Sequence, residues 1–113
     1  IRITSTNQLP GTVSYWQAEN NANDSAGGNH GTLQGGAVVA AGGVDGRGQA
    51  FRFDGNGDYV QISNAGNLNP ATAMSISAWF TATPTGNYQA LVNKFNHLGG
   101  AGDDSYSLSI TPA

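Results

Sequence analysis

Six aspartates, one glutamate and two histidines are the residues of this 113-residue sequence with the chemistry for proton transfer or metal binding. Glycoside hydrolysis needs two carboxyls about 5 to 10 Å apart, one of them kept protonated as the acid. Glu19 stands alone in an Asn-rich stretch, and every aspartate sits beside Gly, Asn, Ser or another Asp in turn-forming sequence. No paired-carboxylate pattern emerges from that arrangement. His30 and His97 lie near no Ser or Cys in a nucleophile context, so both read as turn residues. The expectation is a protein without catalytic residues.

The same acidic residues suit a hard cation better. Calcium takes six to eight oxygens from carboxylates, amide side chains, carbonyls and water, and Gly/Asn/Asp-rich loops offer these closely spaced. Two loops qualify: one with Asp24, Ser25 and Asn29, the other with Asp54, Asn56 and Asp58. Asp103 and Asp104 form a third, lesser candidate. Each loop also has a metal-free reading, since Asp24 can make an Asx-turn and Asp54-Gly55 a hairpin turn.

For a neutral ligand such as a sugar, the useful groups are aromatic faces and planar polar side chains. Tyr59, Tyr88 and Trp79 are the available platforms. An aromatic residue on a strand is more often packing than platform, and Trp16 and Trp79 are first read in that way.

The elements that must position these residues are strands. No stretch of eleven residues keeps the helical apolar period without a Gly or Pro, whereas period-two alternation recurs at 12–17, 49–53, 58–63, 73–82, 89–95 and 105–111, with a fainter run at 32–40. Turn-forming sequence separates them, as expected for an antiparallel all-β sandwich or barrel. Alternation places Phe51, Phe53, Val60, Ile62, Met74, Ile76, Ala78, Phe80, Leu91, Phe95, Tyr106, Leu108 and Ile110 on inward faces. Trp79 points the other way, so 73–82 reads as apolar on both sides.

Composition narrows the partners. Only 10% of residues are charged and the net charge is −3, which gives no field for nucleic acid. No apolar run approaches the roughly 20 residues that span a bilayer, so membrane insertion is not expected. Without cysteine, no disulfide or thiolate–zinc staple exists, and the Gly, Asn, Ser and Thr content points to secretion or the cell surface. Asn23-Asp24-Ser25 fits the N-glycosylation triplet, a pattern that chance often produces in an Asn-rich chain.

Three collinear stretches carry a family resemblance. Residues 13–37 contain a strand with Trp16 followed by Asp-Ser-x-Gly-x-Asn-x-Gly at 24–31; residues 48–60 read Gly-x-Ala-Phe-x-Phe-Asp-Gly-x-x-Asp-Tyr-Val; residues 75–79 read Ser-Ile-Ser-Ala-Trp. Together they resemble the laminin-G-like jelly roll of the concanavalin A-like superfamily. The resemblance implies an antiparallel β-sandwich over 9–113, preceded by a leading segment at 1–8, and a structural calcium with Asp24 as its foremost ligand. It also implies further strands with no counterpart here. The sequence therefore reads as the amino-terminal portion of such a domain, its second sheet supplied by a homodimer or a complementing chain.

The function expected on this basis is a non-catalytic extracellular recognition module. Carbohydrate is the first ligand class, with Tyr59, Tyr88 and Trp79 as contacts and calcium at Asp24, Asn29, Asp54 and Asp58. The alternative is a structural or protein-interaction module that binds no sugar, its partner a cell-surface protein.

Overall fold

A computed structural model describes residues 9–94 and 106–112, and the chain divides into two compact units, Ile1–Leu68 and Asn69–Ala113. The leading segment 1–8, Phe95, His97, Asp103 and Asp104 lie outside the described residues. Among the described residues, regular structure is β apart from 3-10 turns at Val44–Gly46 and Gly66–Leu68.

The first unit is a looped segment followed by one long, bent hairpin. Strands β1 (Gly31–Gln34) and β2 (Val38–Ala41) form its outgoing arm, and β3 (Gln49–Arg52) and β4 (Tyr59–Ile62) its return arm. β2 pairs antiparallel with β3, and β1 with β4, so the two pairs are nested. This corrects the hairpin turn read at Asp54-Gly55: β3 and β4 follow each other in sequence but belong to different sheets. Likewise, the single faint strand expected at 32–40 is two strands with a corner between them.

The corner has a physical cause. Gly35 has φ +67°, and a Cβ there would stand 2.5 Å from the Gly57 carbonyl oxygen, so only glycine fits both the torsion and the space. Opposite it, 53–58 spends six residues where the outgoing arm spends three, which bends the ribbon and slips its register. Asp58 closes the corner. Its Oδ1 accepts the Gly36 N–H at 2.5 Å and its Oδ2 the Asp54 N–H at 2.8 Å.

In the second unit, β5 (Gln89–Lys94) pairs antiparallel with β6 (Tyr106–Ile110), with a bulge at Leu91. The Lys94 ammonium lies 6.0 Å from the Tyr106 ring centroid and donates to the Asn69 side-chain oxygen.

The expected strand faces hold in β4 and β6, where Val60, Ile62, Tyr106, Leu108 and Ile110 are the half-buried positions and their neighbours are exposed. Elsewhere the inward list needs correction. Phe53, Met74, Ile76, Ala78 and Phe80 are exposed, and the only buried apolar residues among those described are Ala18, Ala22 and Ala37. Trp79, read first as packing, is 83% exposed. Phe53 lies in the 53–58 connection, past the end of β3; for 73–82 the reason is pairing. Residues 73–82 run without helix, turn or bend, but join no ladder among the described residues, so no second layer is brought over either face.

The expected strand at 12–17 is also reduced, to a single bridge between Trp16 and Asp24. Its backbone hydrogen bonds are taken by the loop that follows it.

Candidate functional site

Two places in the first unit gather polar chemistry, and each is built by a different device. The earlier in sequence is the loop from Ser14 to His30. Asp24 is its centre: the side chain is 4% exposed, and Oδ1 accepts the N–H groups of Tyr15 (2.8 Å), Ala26 (2.9 Å) and Gly27 (2.9 Å) while Oδ2 accepts that of Asn29 (3.1 Å). Burial by itself pushes the carboxyl up. The Gly27 and Tyr15 N–H groups, the Ser14 hydroxyl and the Ala26 N–H outweigh it and hold Asp24 well below the usual carboxylate range. Asn29 completes the clasp, donating from Nδ2 to the Ser14 hydroxyl oxygen (2.8 Å) and accepting the Trp16 indole N–H on its backbone carbonyl (2.8 Å).

Two non-glycine residues in this loop, Ala18 and Asn20, have φ of +57° and +68°. Such backbone persists only where its surroundings over-determine it. Here the surroundings are the hairpin: the Asn20 N–H donates to Gln49 Oε1 (2.6 Å), and Glu19 Oε1 accepts the Gln49 N–H (3.0 Å). The Asp24 N–H donates to His30 Nδ1 (3.2 Å), which leaves Nε2 to carry the proton of the neutral ring. Between these groups opens a cleft of about 340 Å³ walled by Gln17, Glu19, Asn21, Asn23, Ser25 and His30.

The second place is flatter. Thr32 and Gln34 of β1 and Tyr59 and Gln61 of β4 point to the same side of their sheet, because Gln34 pairs with Tyr59 and Thr32 with Gln61. Gln34 Nε2 donates to Gln61 Oε1 at 3.3 Å, so the two amides lie together beside a tyrosine that is 52% exposed. An aromatic ring next to two planar amides presents a stacking face together with paired hydrogen-bond donors and acceptors. The two glutamines escape a reading of single strands. Period two marks Thr32/Gln34 and Tyr59/Gln61 separately, but only the β1–β4 pairing sets them side by side.

The residues expected to bind metal fall into two pairs. Asp24 and Asn29 share the first loop, and Asp54 and Asp58 share the corner, where Asp54 Oδ1 accepts the Asn56 N–H (2.7 Å). N–H groups of Asp54 and Gly36 hold the Asp58 carboxyl below its ordinary value, against a smaller opposing push from desolvation. Three N–H groups fill Asp24 Oδ1 and the Asn29 N–H holds Oδ2, so a cation at that loop would share Oδ2 with that N–H. No cluster of three His, Cys, Asp or Glu side chains occurs among the described residues. Of the remaining aromatic platforms, Trp79 is 83% and Tyr88 75% exposed, both in the second unit. Among the described residues no helix is long and apolar enough to cross a membrane. Compared with known protein families, with curated proteins and with solved structures, the chain matches none.

Proposed function

We propose that this chain is a non-catalytic recognition module of a secreted or cell-surface protein, part of a concanavalin A-like jelly-roll sandwich, and that its ligand is a carbohydrate. The observation that carries the reading is the exposed Tyr59 ring beside the Gln34–Gln61 amide pair on one strand face. Trp79 and Tyr88 offer further exposed rings to a longer glycan.

The test is a glycan array screened with and without calcium, followed by titration of the best binder. Tyr59→Ala should weaken binding roughly tenfold or more, the loss of one stacked ring. No binding by the unaltered protein in either condition sinks the carbohydrate reading. A structural calcium belongs to the same proposal, with Asp54, Asn56 and Asp58 as an all-oxygen donor set and Asp24 Oδ2 with Asn29 as the other candidate pair. A chelator should then lower the melting temperature, and an unchanged curve removes the metal.

One observation favours the second reading, a protein-interaction module. Met74, Ile76, Trp79 and Phe80 are exposed along one short segment, more apolar surface than isolated surface residues account for.

A further inference from the structure

Of the asparagines in this sequence only Asn56 is followed by glycine, and the pair sits in the connection where the hairpin bends. An asparagine amide is open to attack by the backbone nitrogen of the next residue, a reaction that a side chain on that residue hinders and glycine does not. The corner leaves both reactants free. Residues 53–57 are exposed, and a Cβ on Gly57 would meet nothing within 4 Å. The Asn56 N–H is held by Asp54 Oδ1 (2.7 Å), but among the described residues neither the Asn56 side chain nor the Gly57 N–H has a hydrogen-bond partner.

Every other asparagine precedes a residue with a side chain, and three are restrained further. Asn29 is buried with its amide nitrogen donating to Ser14, the nitrogen after Asn23 donates to His30, and Pro70 gives Asn69 a following nitrogen that carries no proton. Asp45 and Asp54 also precede glycine, but a carboxylate is a poorer electrophile than an amide.

We propose that Asn56-Gly57 is a site of self-modification, where the chain deamidates through a cyclic imide and thereby opens its own corner. The Gly57 nitrogen gives its proton to a solvent base and bonds to Asn56 Cγ; the Cγ–Nδ2 bond breaks, and Nδ2 takes a proton from solvent and leaves as ammonia. Water then opens the ring at one of its carbonyls. Cleavage at Cγ gives aspartate at 56, whereas cleavage at the backbone carbonyl carbon gives isoaspartate, whose main chain runs through Cβ and Cγ and is one carbon longer. No oxidant or reductant takes part.

The corner has no slack for that carbon. A Cβ on Gly35 would stand 2.5 Å from the Gly57 carbonyl oxygen, and Asp58, the next residue, is pinned through both carboxylate oxygens to the N–H groups of Gly36 and Asp54. Isoaspartate therefore pulls Asp58 from its two donors. Aspartate adds only a like charge between Asp54 and Asp58. The proposal stands apart from the carbohydrate reading, because every readout below is taken without ligand.

The experiment incubates the whole chain at mildly alkaline pH with a chelator, so that no cation held by Asp54, Asn56 and Asp58 shields the amide. Peptide mapping by mass spectrometry, with fragmentation that separates aspartate from isoaspartate, then follows each asparagine. Asn56 should convert about tenfold or more faster than any other and give both products. In the isoaspartyl fraction the Gly36 and Asp54 amides should exchange hydrogen about tenfold or more faster, while those of Tyr15 and Asn29 around Asp24 do not change. Asn56→Gln, which would need a larger ring, should show neither effect on incubation. Asn56→Asp, with the charge but not the longer main chain, should show the smaller acceleration. The proposal is overturned by an Asn56 no faster than other asparagines, by an isoaspartyl chain whose Gly36 and Asp54 amides exchange as in the parent, or by equal acceleration in Asn56→Asp.

Discussion

The two units of this chain hold themselves together by opposite means. In the first, a buried carboxylate and an amide side chain draw the backbone of 14–29 around themselves, and Asp58 repeats the device at the hairpin corner. In the second, the regular element among the described residues is the β5–β6 ladder, and the apolar stretch 73–82 is exposed. The contrast teaches that apolar patterning is no guarantee of a core. The buried residues among those described, Ala18, Ala22, Asp24, Asn29 and Ala37, all lie outside the strands, and a charged acceptor can order a loop with little more than the N–H groups of that loop.

The sharpest way to break the comparison is to remove the first clasp. Asp24→Asn keeps the size but turns one acceptor into a donor facing the Asn29 N–H, and should cost about 3 kcal/mol in urea unfolding. The loss should be equal in calcium and in chelator if the N–H clasp is the stabilising element. A larger loss in calcium would assign part of the role to a bound cation.

Acid should weaken the same clasp without altering the sequence. Asp24 titrates lower in the folded protein than its ordinary 3.8, so the stability it contributes is fully present above that value and is lost as the pH falls below it. Melting temperature followed downward from pH 6 should drop more steeply for the parent than for Asp24→Asn. Parallel curves would show that the carboxylate adds nothing.

The corner makes a finer test, because Gly35 and Gly57 separate torsion from space. Gly35→Ala meets both an unfavourable φ and the Gly57 carbonyl, and should cost about 2 kcal/mol. Gly57→Ala, with φ +79° but open space around it, should cost about 1 kcal/mol. Equal losses would mean that the close approach at the corner is not a constraint.

The smallest expected effect is at Phe53. Alternation alone puts this side chain inward, where truncation to Ala costs about 3 to 5 kcal/mol. At 52% exposure the loss should stay below about 1 kcal/mol. A large loss would restore the inward face and show that a second layer covers it in solution.

Local order was legible from residue type and spacing. Period two located the strands at 49–52, 59–62, 89–94 and 106–110, and Gly, Asn and Asp located the turns, because both depend on torsions that each residue carries with it. Asp24 and Asn29 were legible as members of one loop, being five residues apart. What those side chains do was not, since the N–H groups of Tyr15 and the hydroxyl of Ser14 reach Asp24 only when the chain folds back. Pairing was decided by tertiary structure alone. Nothing within 49–63 tells that β3 joins β2 and β4 joins β1, because hydrogen-bonding backbone is the same at every residue and partner choice depends on the Gly35 corner and the Asp58 clasp closing together. The same holds for 73–82: alternation gave it two faces, and only the absence of a neighbouring strand among the described residues left both of them exposed.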